Sequence, residues 1–214
     1  PREDTAVERL SAAVHTLCTH KLPQHECKPV RAMVEALAAA QPFPNSMVMP
    51  GLLNPALSPY VMKLMPNPGT RRAFSALLSN TVVPTVLRAG EKTNVIPGEA
   101  TAEFDGRTLP GQTPDDLLRE VRELVGDSVS VEAFDTAPPA EAPIDSELFR
   151  ALCDAVRAHD PTLIPVPNVM PGYTDARAYM RLGTKHYGFA PVKFGPDFTT
   201  PFADMFHGHD ERIP

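Results

Sequence analysis

No apolar run in this sequence reaches the roughly 20 residues a helix needs to cross a bilayer. Basic residues are in short supply too: 20 Lys and Arg stand against 26 Asp and Glu, for a formal charge of -6. Nucleic-acid binding rests on clustered cations that neutralise phosphates, so that partner class is disfavoured. Cysteine is scarce as well. Cys18, Cys27 and Cys153 are odd in number and lack metal-ligand spacing, which argues against a disulfide framework or a thiolate metal site. Reduced thiols and a cytoplasmic setting are the expectation.

What is present describes a globular protein. Apolar residues make up 43% and charged residues 21%, enough for a sizeable core in one large or two small domains. The 25 prolines cluster in Pro42–Pro68 and Pro138–Pro171. Apolar residues are interleaved among them, so they mark loops, crossovers and hinges and not disorder.

Along the chain, Thr5 and Glu8 form a capping-box pattern ahead of a stripe of Val7, Leu10, Val14 and Leu17, which predicts a first helix. His15, His20 and His25 recur every five residues. Helical metal pairs want i,i+4 spacing and Pro23 interrupts the run, so surface or half-buried histidines are favoured over ligands. Val30–Ala40 is a second helical candidate. The Pro42–Pro68 stretch holds four of the eight methionines and reads either as a packed insertion, the favoured reading, or as a substrate-shaping or subunit-contact segment.

Residues 81–88 are rich in β-branched residues and pair naturally with the alternating run 100–107 as a hairpin. In that second strand Ala100, Ala102 and Phe104 face one way, and Thr101, Glu103, Asp105 and Arg107 the other. Thr113-Pro114 opens a helix striped by Leu117, Val121, Leu124 and Val125 and closed by Gly126. Val129, Val131 and Ala133 alternate as a last strand. The Pro-rich residues 136–143 are the best linker, separating residues 1–137 from residues 144–214. Beyond it a helix is expected at 146–158, short buried strands at 163–166 and 185–189, and a helix at 174–182.

Three motifs in one order carry a resemblance. Asn94-Val95-Ile96-Pro97 leads through the alternating strand to Asp105-Gly106-Arg107 and Leu109-Pro110-Gly111; Gly172-Tyr173-Thr174-Asp175-Ala176-Arg177 follows; His207-Gly208-His209-Asp210-Glu211 closes the series. Together they resemble the zinc-dependent aminoacylase family, which includes acetylornithine deacetylase, succinyl-diaminopimelate desuccinylase, carnosinase-like dipeptidases and a glutamate-releasing carboxypeptidase.

The resemblance implies an α/β protein. Residues 1–137 would be a ferredoxin-like β-α-β-β-α-β lid, its first strand missing and an insertion at about 22–78. Residues 144–214 would be the C-terminal segment of a split catalytic domain. The sequence is then expected to be a fragment that starts just before the first lid helix. It further implies zinc-dependent cleavage of amide bonds in N-acyl amino acids or small peptides, with two zinc ions per site. Of their ligands only His207 would be present, with His209 as its competitor and Glu211 as a neighbouring partner. Asn94, Arg107 and Gly172 would bind substrate, and a homodimer would form through the lid.

Each assignment has a plainer reading. Arg107 can simply pair with Asp105 along its strand, and Thr174 can be only a helix cap. No acid in the sequence can be assigned as catalytic base, so residues 1–214 are expected to be inactive alone. A non-catalytic dimerisation module is the alternative. A ferredoxin-like nucleic-acid binder is weaker, because a basic, aromatic strand face is lacking.

Overall fold

The computed structural model describes residues 3–137, 139–170, 172 and 174–192. It is a mixed fold of helices and one small antiparallel sheet. Helix α1 spans Ala6–Thr19 and starts as its sequence dictates: the Thr5 hydroxyl accepts the Glu8 amide, and the Glu8 carboxylate accepts the Thr5 amide. Ala13 and Leu17 are the buried members of its apolar stripe. Strands β1, Thr81–Ala89, and β2, Ala100–Arg107, form the hairpin, in a register from Thr81 opposite Arg107 to Ala89 opposite Ala100. A bulge falls between Pro84 and Val86, where the ladder tolerates a residue without an N–H.

A two-stranded ribbon is marginal by itself and needs a helix to lie on. Here α1 packs across both strands and against α6, Pro114–Val125. Thr113 caps α6 as expected, and Asp116 completes a second capping box with it. The Thr113 hydroxyl and amide, with the Arg119 guanidinium behind them, pull the Asp116 carboxyl from the ordinary 3.8 down to about 2. A depressed carboxyl favours the folded state above its unfolded value, and that contribution is lost as pH falls through the folded one. Gly126 ends α6 with φ of 65°, a conformation glycine adopts without strain.

The main core lies beside this layer. Helices α2 (Lys28–Ala39), α3 (Asn45–Val48), α4 (Ser58–Leu64) and α5 (Pro68–Leu78), with a 3-10 turn at Met49–Leu53, surround Val30, Met33, Val34, Leu52, Met62, Leu77 and Leu78. The Pro42–Pro68 stretch is therefore a packed, mostly helical segment. Cys27 is buried at the head of α2, and burial pushes its thiol up. Val166 and Val169, beyond the Pro-rich linker, pack against the same core.

Helices α7 (Glu147–His159) and α8 (Ala176–Met180) complete the elements. Ser146 caps α7 by accepting the Phe149 amide at 3.0 Å. The Ser146 hydroxyl donates to the Tyr187 hydroxyl at 2.6 Å, which donates in turn to the Pro143 carbonyl at 2.6 Å.

Three expected strands are absent among the described residues: 129–133, 163–166 and 185–189 are irregular. Alternation specifies a face, but a strand also needs a neighbour to take its backbone groups. The Val131 carbonyl instead accepts from Arg122 of α6 at 2.7 Å. Of the four-stranded sheet, the described residues form the central hairpin.

The two layers meet at a buried polar junction. Glu120, on the inner face of α6, accepts from His25 Nε2 at 2.5 Å and from Asn80 Nδ2 at 3.3 and 3.2 Å on its two oxygens. Asn80 then accepts the Leu109 amide at 2.9 Å. The backbone repeats the connection, with the His25 amide donating to the Leu78 carbonyl at 2.9 Å. Asn80→Ala removes one partner from a buried carboxylate and one from a buried amide. Each unsatisfied group costs about 1–3 kcal/mol, so the variant should lose at least about 2 kcal/mol of unfolding free energy in a denaturant titration. A loss below about 0.5 kcal/mol, the scale of ordinary surface substitutions, would show that the junction does not hold the layers together.

Candidate functional site

The hairpin presents its two proposed site residues at opposite ends. Gly90, with φ of +62°, turns the chain out of β1, and Pro97 lies 3.6–3.8 Å from where a Cβ on Gly90 would stand. The Lys92 carbonyl accepts the Val95 amide at 3.2 Å, which closes a turn around Asn94 and leaves that residue exposed. Shallow concavities flank this tip. One lies between the start of α1 (Asp4, Thr5, Arg9) and Ile96-Pro97-Gly98; another is lined by Gly90, Lys92, Val95 and Pro97.

Arg107 stands at the base, opposite Thr81. It is the last of the eight residues of β2, at the end away from the tip, on a strand about 24 Å long at about 3.4 Å per residue. One hairpin therefore does not bring Asn94 and Arg107 to the same small group. The base is the better-fixed end. Asn80 precedes β1 and holds the Leu109 amide just after β2, so the start of β1 and the end of β2 beside Arg107 are both tied to the buried junction. The side chain makes the intrastrand pair expected of the plainer reading: its Nε and Nη2 each lie 2.9 Å from Asp105 Oδ2. Both partners are about half exposed. On the same face Arg88 and Glu103 pair across the strands at 2.5 Å.

Gly172 is exposed, and a Cβ there would meet Met170 at 3.5 Å, an ordinary contact that does not demand glycine. Asp175, and not Thr174, is the N-cap of α8; the Thr174 hydroxyl, one residue earlier, accepts the Ala176 amide at 3.3 Å. His207, His209 and Glu211 lie outside the described residues. Among the described residues no group of three or more His, Cys, Asp and Glu is placed to hold a metal ion. His20 is occupied locally, with Nδ1 3.1 Å from the Thr16 carbonyl, and His25 is bonded to Glu120. The described residues thus do not by themselves fit a zinc site.

Sequence reasoning missed the Glu120 junction. Its signal was a glutamate within the apolar stripe of α6, one residue before Val121 and three after Leu117.

With the geometry in place, comparison with known proteins decides the family. The model of the M20 peptidase dimerisation domain matches residues 22–130, just over half of the chain. The chain belongs to the M20 peptidase family. The matched span runs from the entry into α2 to beyond α6, so it holds the α2–α5 core, the hairpin, α6 and the junction between them, with α1 lying just before it.

Curated relatives extend the likeness over the whole sequence. The bovine (Bos taurus) N-fatty-acyl-amino acid synthase/hydrolase PM20D1 is 30% identical over 220 residues, covering 100% of this chain and 42% of the relative. The human (Homo sapiens) protein of the same name is 30% identical over 222 residues, with the same coverage. The probable carboxypeptidase S-like 2 of Dictyostelium discoideum is 24% identical over 216 residues, covering 100% of this chain and 40% of that protein. The chain spans about two fifths of the length of these relatives. No solved structure matches.

The Arg107–Asp105 pair of this M20 domain is half exposed, so it contributes only about 0–1 kcal/mol. Asp105→Ala should leave the thermal midpoint nearly unchanged. A loss above about 2 kcal/mol in denaturant unfolding, larger than exposed pairs contribute, would make Arg107 a structural residue of the hairpin base.

Proposed function

We propose that the whole protein to which this chain belongs is a metal-dependent hydrolase that cleaves the amide bond of N-acyl amino acids or small peptides, and that it works as a homodimer joined through the M20 dimerisation domain. The observation that carries this reading is the match of residues 22–130 to that domain. Relatives named as an N-fatty-acyl-amino acid synthase/hydrolase and a carboxypeptidase support the amide-cleaving class. The metal is proposed to be zinc, with His207 as one ligand and the remaining ligands supplied from elsewhere in the protein.

Within this reading Arg107 receives the free carboxylate of the substrate. Its planar guanidinium can donate two parallel N–H groups to a carboxylate, and its pairing with Asp105 holds the fork ready at a modest exchange cost. Asn94, at the far end of the hairpin, contacts a different part of the bound substrate or of the neighbouring subunit. Gly172, in the loop before α8, lets a substrate approach the backbone closely. The base of the hairpin supplies rigidity, since a carboxylate clamp is effective only when its position is fixed before the ligand arrives.

Arg107→Lys separates a clamp from a structural arginine, because it keeps the charge and loses the fork. In the full-length enzyme this substitution should lower kcat/KM at least about tenfold, a cost of about 1.4 kcal/mol, on substrates with a free carboxylate, and much less on the matching amides. Steady-state kinetics on an acid and amide pair reads the difference. Equal losses on both substrates would remove Arg107 from the site, and absence of hydrolysis by the wild-type full-length protein would favour a dimerisation module without catalysis.

A further inference from the structure

The segments on either side of the Pro-rich linker meet at the α2–α5 core. Val166 and Val169, from beyond the linker, are partly buried and pack against the cluster that includes Val34, Leu52 and Leu78. The linker passes close to the same core: burial pushes the Cys27 thiol up, and the Glu141 carboxylate adds to that push. Residues 164–170 form neither helix nor strand, so no ladder places them. The apolar seat of the two valines does, and Pro165 and Pro167 stiffen the backbone around it by fixing φ.

The hairpin base springs from the same core. Leu78 is only 2% exposed within it, Asn80 follows two residues later, and Thr81 pairs opposite Arg107. Gln24 strengthens that exit. Its backbone bridges to Ser79 in the antiparallel sense, and its Nε2 donates to the Leu52 carbonyl at 2.8 Å. Arg107 is thus opposite a residue three positions past Leu78, and Gly172 is three positions past Val169. Three residues span at most about 11 Å, so neither segment can stray far from its anchor.

We propose that the α2–α5 core is the common mount of two substrate-binding segments, and that Val166 and Val169 are positioning residues that set the Gly172 loop at a fixed spacing from Arg107. This rests on the proposed roles of Arg107 and Gly172 in substrate binding. A substrate held at two points gains fully from both contacts only when their spacing is set before it binds. The chain between the two points does not set it, because it runs through the linker, and a Pro-rich segment is only a semi-rigid spacer. A close-packed interior resists deformation, which suits the core to the task. The helices between residues 28 and 78 then act in substrate binding without touching the substrate.

Steady-state kinetics of the full-length enzyme on an acid and amide pair, run as a double-mutant cycle, tests this. The double variant Val166→Ala, Val169→Ala should raise KM for the acid at least about fivefold with kcat changed less, because positioning is lost while the reacting groups are untouched. In an Arg107→Lys background the same two substitutions should raise KM by less than about twofold, since the spacing to a missing fork is worth little. Val169→Ile keeps the apolar contact and should retain the wild-type KM. A KM increase of equal size in both backgrounds, or none in either, overturns the inference, while an acid-selective loss by Arg107→Lys leaves the clamp standing. An Arg107→Lys enzyme that loses equally on acid and amide removes the clamp, and the inference with it.

Discussion

A carboxylate removed from water organises this structure. Glu120 lies on the buried side of α6, where an unpaired charge would cost several kcal/mol. Its partners come from far along the chain: His25 from the entry into α2, and Asn80 from the step between α5 and β1. Asn80 passes the connection on to Leu109, at the exit from β2. Four segments are thereby joined through one network, in which His25 and Asn80 satisfy the carboxylate and Asn80 in turn satisfies the Leu109 amide. Apolar packing supplies most of the stability on either side, but it is non-directional. The hydrogen bonds of the junction fix how the α1–hairpin–α6 layer sits against the α2–α5 core.

That arrangement has a consequence for the hairpin. Its base is tied on both sides of the Thr81–Arg107 pair, whereas its tip is a ten-residue connection held by local turns and the packing of Pro97 on Gly90. The M20 domain thus presents Arg107 from a rigid position and Asn94 from a more loosely supported one. A guanidinium that binds a carboxylate with both arms needs the rigid position. The pairing with Asp105 orients that side chain along the strand face without burying it.

Local signals made much of this legible in the sequence. The Thr5–Glu8 capping box, the Thr113 cap, the helices they open, the closing Gly126 and the hairpin pairing depend on residues within a few positions of each other or on a simple alternation, and the structure places them as expected. Long-range pairing was not legible. The alternating residues 129–133 have a strand pattern, but the Arg122 side chain takes the Val131 carbonyl and no neighbouring strand is formed. The His25–Glu120 bond spans 95 positions, and neither residue has a local pattern that predicts the other. Of the proposed site, Asn94, Arg107 and Gly172 could be located, whereas His207 lies outside the described residues. The motif order identified the family because those motifs are local and specific, and the matched domain then confirmed it.

Hydrogen exchange across the Glu120→Ala variant tests the central role of the junction most directly. If Glu120 couples the two layers, amide protection should fall together at residues 22–27, 79–83 and 103–110, while α7, which has no part in the junction, keeps its wild-type protection. Loss of protection confined to α6 would contradict the account and reduce the junction to a local helix contact.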